Sequence, residues 1–506
     1  MQRWISIFII GLVVAWGLLA QAEMGAFFNG ALKQLTRNFG WLYLWVVLGL
    51  VLCCLTLAFG RYGQLRLGGD DDKPEFSRAA WFAMLFSAGM GIGLVFYGVA
   101  EPVSHFLKPP PGITPESAEA ANAAMRYSFF HWGLHPWAVY SVVGLAIGFF
   151  QFRRGRPALI SSVTDELPWA WAKALGPVIN VLAVVATAFG VAASLGVGAL
   201  QINAGLARLF GLPIGLHVQL IIIAVTTVLF LASALSGLGR GVKWLSSGNL
   251  VLAAALALTV FVLGPSVAII DAFTNNLGGY FSEFVRMSLR MTPFRDSSWV
   301  SDWTVFYWAW WISWSPFVGV FIARVSRGRS IKEFILGTML APTLAACLWF
   351  SVFGGTALHL QIFEGVPIGA AVQADVSTAL FSMFDALPLG GLMSLAATVL
   401  VVVFFITSGD SATLVLSVMS SGGKDKPHAA SKLMWGLLVA AIAASLISVG
   451  GVSALQTATI VFALPFTLVL VLLAIALWRG VRADYEAQME NERLLRRKLV
   501  KLAKSE

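Results

Sequence analysis

The sequence predicts an all-α membrane protein of twelve transmembrane helices. Three observations carry this. The 506 residues are 58% hydrophobic and only 12% charged, at a mean hydropathy of +0.81, whereas soluble domains carry about a quarter charged residues. Apolar runs of roughly 20 residues recur from end to end, the length that lets one helix cross a bilayer. The polar stretches between them are too short to house a soluble domain.

The expected spans are 4–22, 39–60, 76–103, 127–152, 176–205, 213–236, 241–271, 303–323, 332–358, 391–420, 430–450 and 455–479. The first lacks a convincing small-residue cleavage site and precedes a polytopic chain, so it is expected to stay as a span rather than serve as a signal peptide. The second holds Cys53 and Cys54, and the ninth holds Cys347. Adjacent cysteines rarely bridge each other, so no disulfide or metal site is expected from the three. The third span contains SAGMGIGL (87–94), in which Gly89, Gly91 and Gly93 alternate. Such glycines pack membrane helices closely. They also weaken a helix and let its backbone face a midplane ligand. The fourth contains FHWGLHPWAVY (130–140), interrupted by Pro136. The eighth opens with WTVFYWAWWISWSPF (303–317), where Pro316 removes a backbone donor and is expected to interrupt the helix. The tenth carries FFITSGDSATL (404–414), and the rest are plain apolar runs. Residues 1–480 are expected to form one membrane domain and 481–506 a basic cytoplasmic tail. The tail is acidic early and basic late, as the helix dipole favours. Its basic half suits anionic headgroups; a solvated helix that merely ends the chain is the other reading.

With both termini inside, the inner segments collect 26 of the 34 lysines and arginines and the outer segments 8. This bias supports the count of spans and puts both ends in the cytoplasm. The net charge of +9 then reflects topology and contact with anionic lipid. Scattered over short loops, the basic residues do not describe a nucleic-acid surface.

The eighth span explains part of the chain's 19 tryptophans. From Trp303 to Trp314 a helix rises about 16 Å, too deep for an interfacial belt alone. At about 100° per residue, Trp303, Tyr307, Trp310, Trp311, Trp314 and Phe317 share one stripe, and Trp308 points away. A packed stripe and an aromatic-lined path both fit. The second cluster, Trp132, Trp137 and Tyr140, favours the path. Indole and phenol faces hold quaternary ammonium groups, which offer no strong hydrogen-bond donor.

The segments SAGMGIGLVFYGVAEP (87–102), FHWGLHPWAVY, ATAFGVAASLGVGALQINAGL (186–206), WTVFYWAWWISWSPFVGVFIARVSRGRS (303–330) and FFITSGDSATL resemble the betaine/choline/carnitine transporter family, BCCT. The resemblance runs from about residue 5 to 480. It implies a LeuT-like pair of inverted five-helix repeats, helices 3–7 and 8–12, and a homotrimer in a bacterial cytoplasmic membrane. The implied aromatic box is Trp132, Trp137, Tyr140 and Trp311. Trp310 borders it, while Trp314 and Phe317 lie on the route to it. Met90, Gly91 and Gly93 line the site beside the box. Proton-coupled choline carriers of the family tend to have aspartate at the Gly93 position, so glycine there favours a zwitterion such as glycine betaine. No cofactor is implied beyond sodium as coupling ion. The implied sodium ligands are backbone at Ser87, Met90 and Phe404 with the hydroxyls of Thr407 and Ser408. Sodium-independent carnitine exchangers carry an arginine where Asn249 stands, which favours symport. A second sodium site would use Thr187 and Phe317, but Val191 replaces its other threonine. Exchange, or carriage of carnitine, choline or dimethylsulfoniopropionate, is the alternative. A receptor that binds without transporting would want a signalling domain, and none is evident.

Other polar residues have plainer accounts. His131 and His135 are spaced i, i+4, but with no third ligand nearby, helix-to-helix hydrogen bonding is expected over metal binding. Glu101 and Asp410 are membrane acids and suspects by default. Asp410 either orients the ion site or pairs structurally. Arg324, Arg327 and Arg329 stand at an inner helix end, as lipid anchors or in gating. No Ser/His/Asp arrangement or phosphate loop points to catalysis.

Overall fold

The computed structural model describes residues 2–89, 91–236, 239–295, 297–423 and 427–504. The first two apolar runs give α1 (Gln2–Leu19) and α2 (Gln21–Phe59). The glycine alternation breaks the third as expected. Helix α3 (Arg78–Gly89) stops, α4 (Ile92–Leu107) starts, and Gly91 between them is extended at φ −145°, ψ −164°. Ten described helices are long and apolar enough to cross a membrane. That number omits the broken third segment and counts the last two segments as one.

The fourth segment is also two helices, α5 (Ala118–Trp132) and α6 (Leu134–Gly148), but the break is at Gly133 rather than Pro136. Pro136 falls in the first turn of α6, where an N–H would have no intrahelical partner. The new helix start is satisfied from outside: the Leu134 N–H donates to the Tyr280 hydroxyl at 3.0 Å. Then come α7 (Gly176–Phe210), α8 (Leu216–Ser236) and α9 (Gly239–Leu263). The seventh segment ends earlier than expected, at Gly264–Pro265, where α10 (Ser266–Ser282) and the short α11 (Phe284–Ser288) take over.

The expected interruption of the eighth segment is absent. Helix α12 (Phe306–Arg324) runs unbroken through Pro316. Proline there deprives the Ile312 carbonyl of its usual donor. The Ser315 hydroxyl supplies one instead, at 2.7 Å, and the helix survives. The inverted repeat, inferred from matching breaks, therefore has only one of them. The chain ends with α13 (Ile331–Phe363), the short α14 (Ile368–Ala374) and α15 (Ala379–Asp385), α16 (Gly390–Ser420) and α17 (Ala429–Ala503). The last joins the two final segments across a kink at Gly450 and Gly451.

Loops expected on one side of the membrane meet at one end of the bundle. Arg153 pairs with Asp70 and Asp484, each at 2.7 Å. The Gly328 N–H donates to the Leu67 carbonyl, and Arg66 donates to the Gly328 carbonyl at 2.8 Å. At the other end Trp299 donates to the Lys108 carbonyl at 3.0 Å and Arg290 to the Pro111 carbonyl at 2.6 Å. The core between is filled by α7, α12, α6 and α17, which pack most extensively.

The kink makes a testable distinction. Gly451 sits at φ +57°, ψ −134°, whereas Gly450 is extended at φ −172°. An added Cβ at Gly451 meets no atom within 4 Å, so any cost there is backbone strain. Gly451→Ala should lose about 1–3 kcal/mol of stability and Gly450→Ala much less, read as thermal midpoints of the detergent-purified protein.

Candidate functional site

Helices α7 and α12 run antiparallel and meet closely because Gly190 has no side chain; a Cβ there would lie 2.7 Å from the Ser313 Cβ. The contact makes a ladder of indole N–H bonds. Trp310 donates to the Ser194 hydroxyl at 3.1 Å, and Trp314 donates to the Gly190 carbonyl at 2.9 Å. One turn further in on each helix stand Thr187 and Phe317. On the other flank Trp311 donates to the His131 carbonyl at 2.9 Å. These three indoles thus have their polar edges occupied and their faces free for contact.

Trp311 is the one of the three that lines a cavity. Trp132, Trp137, Tyr140 and Trp311 line one small cavity with Leu94, Pro136, Pro342 and Ala346. Its volume of about 10 Å³ is room for roughly one water. The rings fill the rest against each other: Trp132 meets Trp311 edge-on at 4.8 Å, and Tyr140 meets Trp311 at 6.0 Å. Trp310 stacks on Trp311 at 5.5 Å, outside the cavity lining. Trp314 and Phe317 pack together one turn away, at 5.2 Å, and also do not line it. Trp308 does point elsewhere, stacking on His135 at 5.1 Å.

The break in the third segment abuts this cavity. Gly91 caps α4 without a side chain, and the Leu94 N–H donates back to the Gly91 carbonyl at 3.1 Å, which leaves the Ile92 and Gly93 N–H groups for another acceptor. Gly93 is required on packing grounds too: a Cβ there would lie 2.6 Å from Trp310 and 3.0 Å from Trp132. Met90 lies outside the described residues, and Ser87 falls on the last turn of α3.

Outward of the box lies a node that sequence reasoning only touched. Glu101 is fully buried. Its Oε1 is 3.2 Å from His105 Nε2 and 2.7 Å from His131 Nδ1. Its Oε2 accepts from Trp132 Nε1 at 2.8 Å and from the Tyr307 hydroxyl at 2.5 Å. His131 also reaches the Thr304 hydroxyl at 3.0 Å. The i, i+4 histidine pair separates as expected of structural residues: His135 instead bonds Ser288 at 2.8 Å. Glu101, His105 and His131 offer ligand atoms within 4.8 Å of one another, but at hydrogen-bond spacing and already paired.

The hydroxyls expected around sodium are on α16 and α7. Thr407 donates to the Val403 carbonyl at 2.9 Å, and both Thr407 and Ser408 are half-buried beside buried Phe404. Among the described residues the fully buried Thr187 hydroxyl has no partner. Asn249 donates to the Leu400 carbonyl at 3.2 Å. Asp410 accepts from Ser233 at 2.7 Å. Pro342 and Ala346, which wall the cavity from α13, carry no local sign in the sequence.

Residues 3–486 match the family described as BCCT, betaine/carnitine/choline family transporter. The chain is 47% identical over 496 residues to the glycine betaine transporter OpuD of Bacillus subtilis (strain 168), covering 97% of this chain and 96% of that protein. It is 44% identical to an ectoine/hydroxyectoine transporter of Virgibacillus pantothenticus, covering 97% and 98%. It is 41% identical to glycine betaine transporter 1 of Vibrio parahaemolyticus serotype O3:K6 (strain RIMD 2210633), covering 95% and 92%. A helical, multi-pass membrane protein with an aromatic cavity at a broken helix, and with these relatives, this chain belongs to the betaine/carnitine/choline family of transporters and is not an enzyme.

Proposed function

We propose that the protein imports a zwitterionic quaternary ammonium solute, glycine betaine foremost, by sodium symport. One observation carries this: the aromatic cavity abuts the N-terminus of α4. A betaine has a cationic end without strong donors and an anionic end. Each desolvated indole or phenol face attracts the cation by roughly 2 kcal/mol. The N-terminal N–H groups and dipole of α4 favour the carboxylate. Choline offers that helix end only a neutral hydroxyl. The relatives named for glycine betaine support the same choice. The relative named for ectoine and hydroxyectoine makes a cyclic zwitterion the first competitor to include.

Sodium is the coupling ion in this proposal. The Thr407 hydrogen points to its own helix's carbonyls, which leaves the oxygen lone pairs for a hard cation. Ser408, and backbone at Ser87, Met90 and Phe404, would complete the shell. The unpartnered Thr187 hydroxyl supports a second cation near Phe317; Val191 in place of a hydroxyl argues for a weaker one. Neutral Asn249 bonded to α16 supports symport over exchange. The basic bias of the inner loops supports a cytoplasmic-membrane protein with both termini inside, the tail on anionic headgroups, and family resemblance supports a homotrimer of inverted five-helix repeats.

The central experiment is uptake of labelled glycine betaine into proteoliposomes with and without a sodium gradient, competed by carnitine, choline, ectoine and dimethylsulfoniopropionate. Sodium-independent accumulation, or choline as the best competitor, would overturn the proposal. Trp311→Leu should raise the apparent KM by about thirty-fold or more, the equivalent of one lost cation–π face, with protein yield retained; near-normal affinity removes Trp311 from the site. Ion and substrate tighten each other by one common factor, typically about 5–150-fold. The double variant Thr407→Val, Ser408→Ala should abolish that sodium dependence, measured as betaine-induced tryptophan fluorescence across a sodium series. An unchanged sodium response puts the ion elsewhere.

A further inference from the structure

A carboxylate buried in a membrane protein is costly and needs a reason. Glu101 ties α4 to α5 through His131 and Trp132 and to α12 through Tyr307, and it also meets His105 on its own helix. The two imidazoles meet one oxygen, and the Trp132 and Tyr307 donors meet the other. With each imidazole in the tautomer that puts a hydrogen on the nitrogen facing Glu101, a carboxylate accepts all four. A tie of this kind needs no charge, since neutral amides and hydroxyls also bridge helices. Every donor to the carboxyl gains from a charge, but of the four partners only Trp132 also lines the cavity.

Helix α4 grips that indole at both ends. Glu101 holds its Nε1, and Gly93, two turns earlier, lies beneath its Cη2, where a Cβ would approach to 3.0 Å. The ring so fixed lines the cavity and meets Trp311 edge-on at 81°. An anionic acceptor on an indole N–H pushes electron density into the ring, and in a water-poor interior such polarisation is strong. The ring face becomes a better partner for a cation.

We propose that Glu101 is a positioning residue that orients Trp132 through its indole N–H and, by its charge, strengthens that ring's attraction for the onium group of the substrate. This rests on the aromatic-box reading above. It sets the specificity of the box: Glu101 adds affinity for a cationic guest and none for an uncharged guest of the same shape.

The test uses the full-length protein in proteoliposomes. Glycine betaine is compared with 3,3-dimethylbutanoate, its neutral-headed isostere with carbon in place of nitrogen. The readout is the ratio of the isostere's competitive Ki to the KM for betaine. Glu101→Gln keeps the shape but replaces an acceptor oxygen by an amide donor. The ratio should fall about tenfold. A ratio that does not move, whether both affinities hold or both collapse together, overturns the proposal. Tyr307→Phe removes the donor that competes with Trp132 for Oε2. There the ratio should hold or rise, and a fall overturns the proposal even if the Gln variant does not fold. A wild-type ratio near one would instead take down the aromatic-box reading, and this proposal with it.

Discussion

Within a bilayer no water is at hand to satisfy a polar atom, so a buried indole N–H gains from an acceptor the protein itself supplies; Trp308 Nε1 is buried without one among the described residues. That constraint organises the centre of this molecule. Trp310, Trp311 and Trp314 on α12 donate to Ser194, to the His131 carbonyl and to the Gly190 carbonyl, and Trp132 donates to Glu101. Each bond fixes a ring's rotation about its own axis. Of the four aromatic walls of the cavity, Trp132 and Trp311 are set by such bonds. The same rule saves α12 at Pro316, where Ser315 covers the abandoned Ile312 carbonyl, and starts α6 at Gly133, where Tyr280 receives the first free N–H.

How much of this could be read from the chain depends on the range of the interaction. Apolar runs and their lengths are local, so the helical segments were legible. So was the α3–α4 break, because alternating glycines weaken a helix wherever they fall. The stripe on α12 followed from helical geometry alone, including the outward turn of Trp308. Proline misled twice for a single reason: its effect depends on what replaces the missing donor. Pro136 sits where no donor is needed, and beside Pro316 a serine provides one. The Glu101 node was not legible as a unit. Its members Glu101, His105, His131, Trp132 and Tyr307 come from three helices, and nothing in local spacing joins them. A lone acid in an apolar span was the available signal, and it marked the position without naming its partners. Pro342 and Ala346 gave no signal, since small residues and prolines on a membrane helix mostly serve packing.

The two ends of the broken third segment differ in what they contribute. Helix α4 is almost wholly buried and presents its start to the cavity and its later turns to the Glu101 node. It brings together the positive end of a helix and, through Trp132, one aromatic wall of the cavity. Helix α13 packs along it closely because Gly98 and Gly354 lack side chains, and Trp349 donates to the Leu94 carbonyl at 3.0 Å. The walls of the cavity and the helix that polarises it are in this way one packed unit.

The near-complete filling of the cavity has a consequence for a cell that lives on its ion gradients. With room for about one water between the rings of Trp132, Tyr140 and Trp311, no file of hydrogen-bonded waters can thread the box. Protons need such a file to hop, and small ions need it to stay hydrated; an apolar constriction without one is an electrical insulator. The aromatic rings that would part around a solute are, while they touch each other, the seal of the membrane at this point.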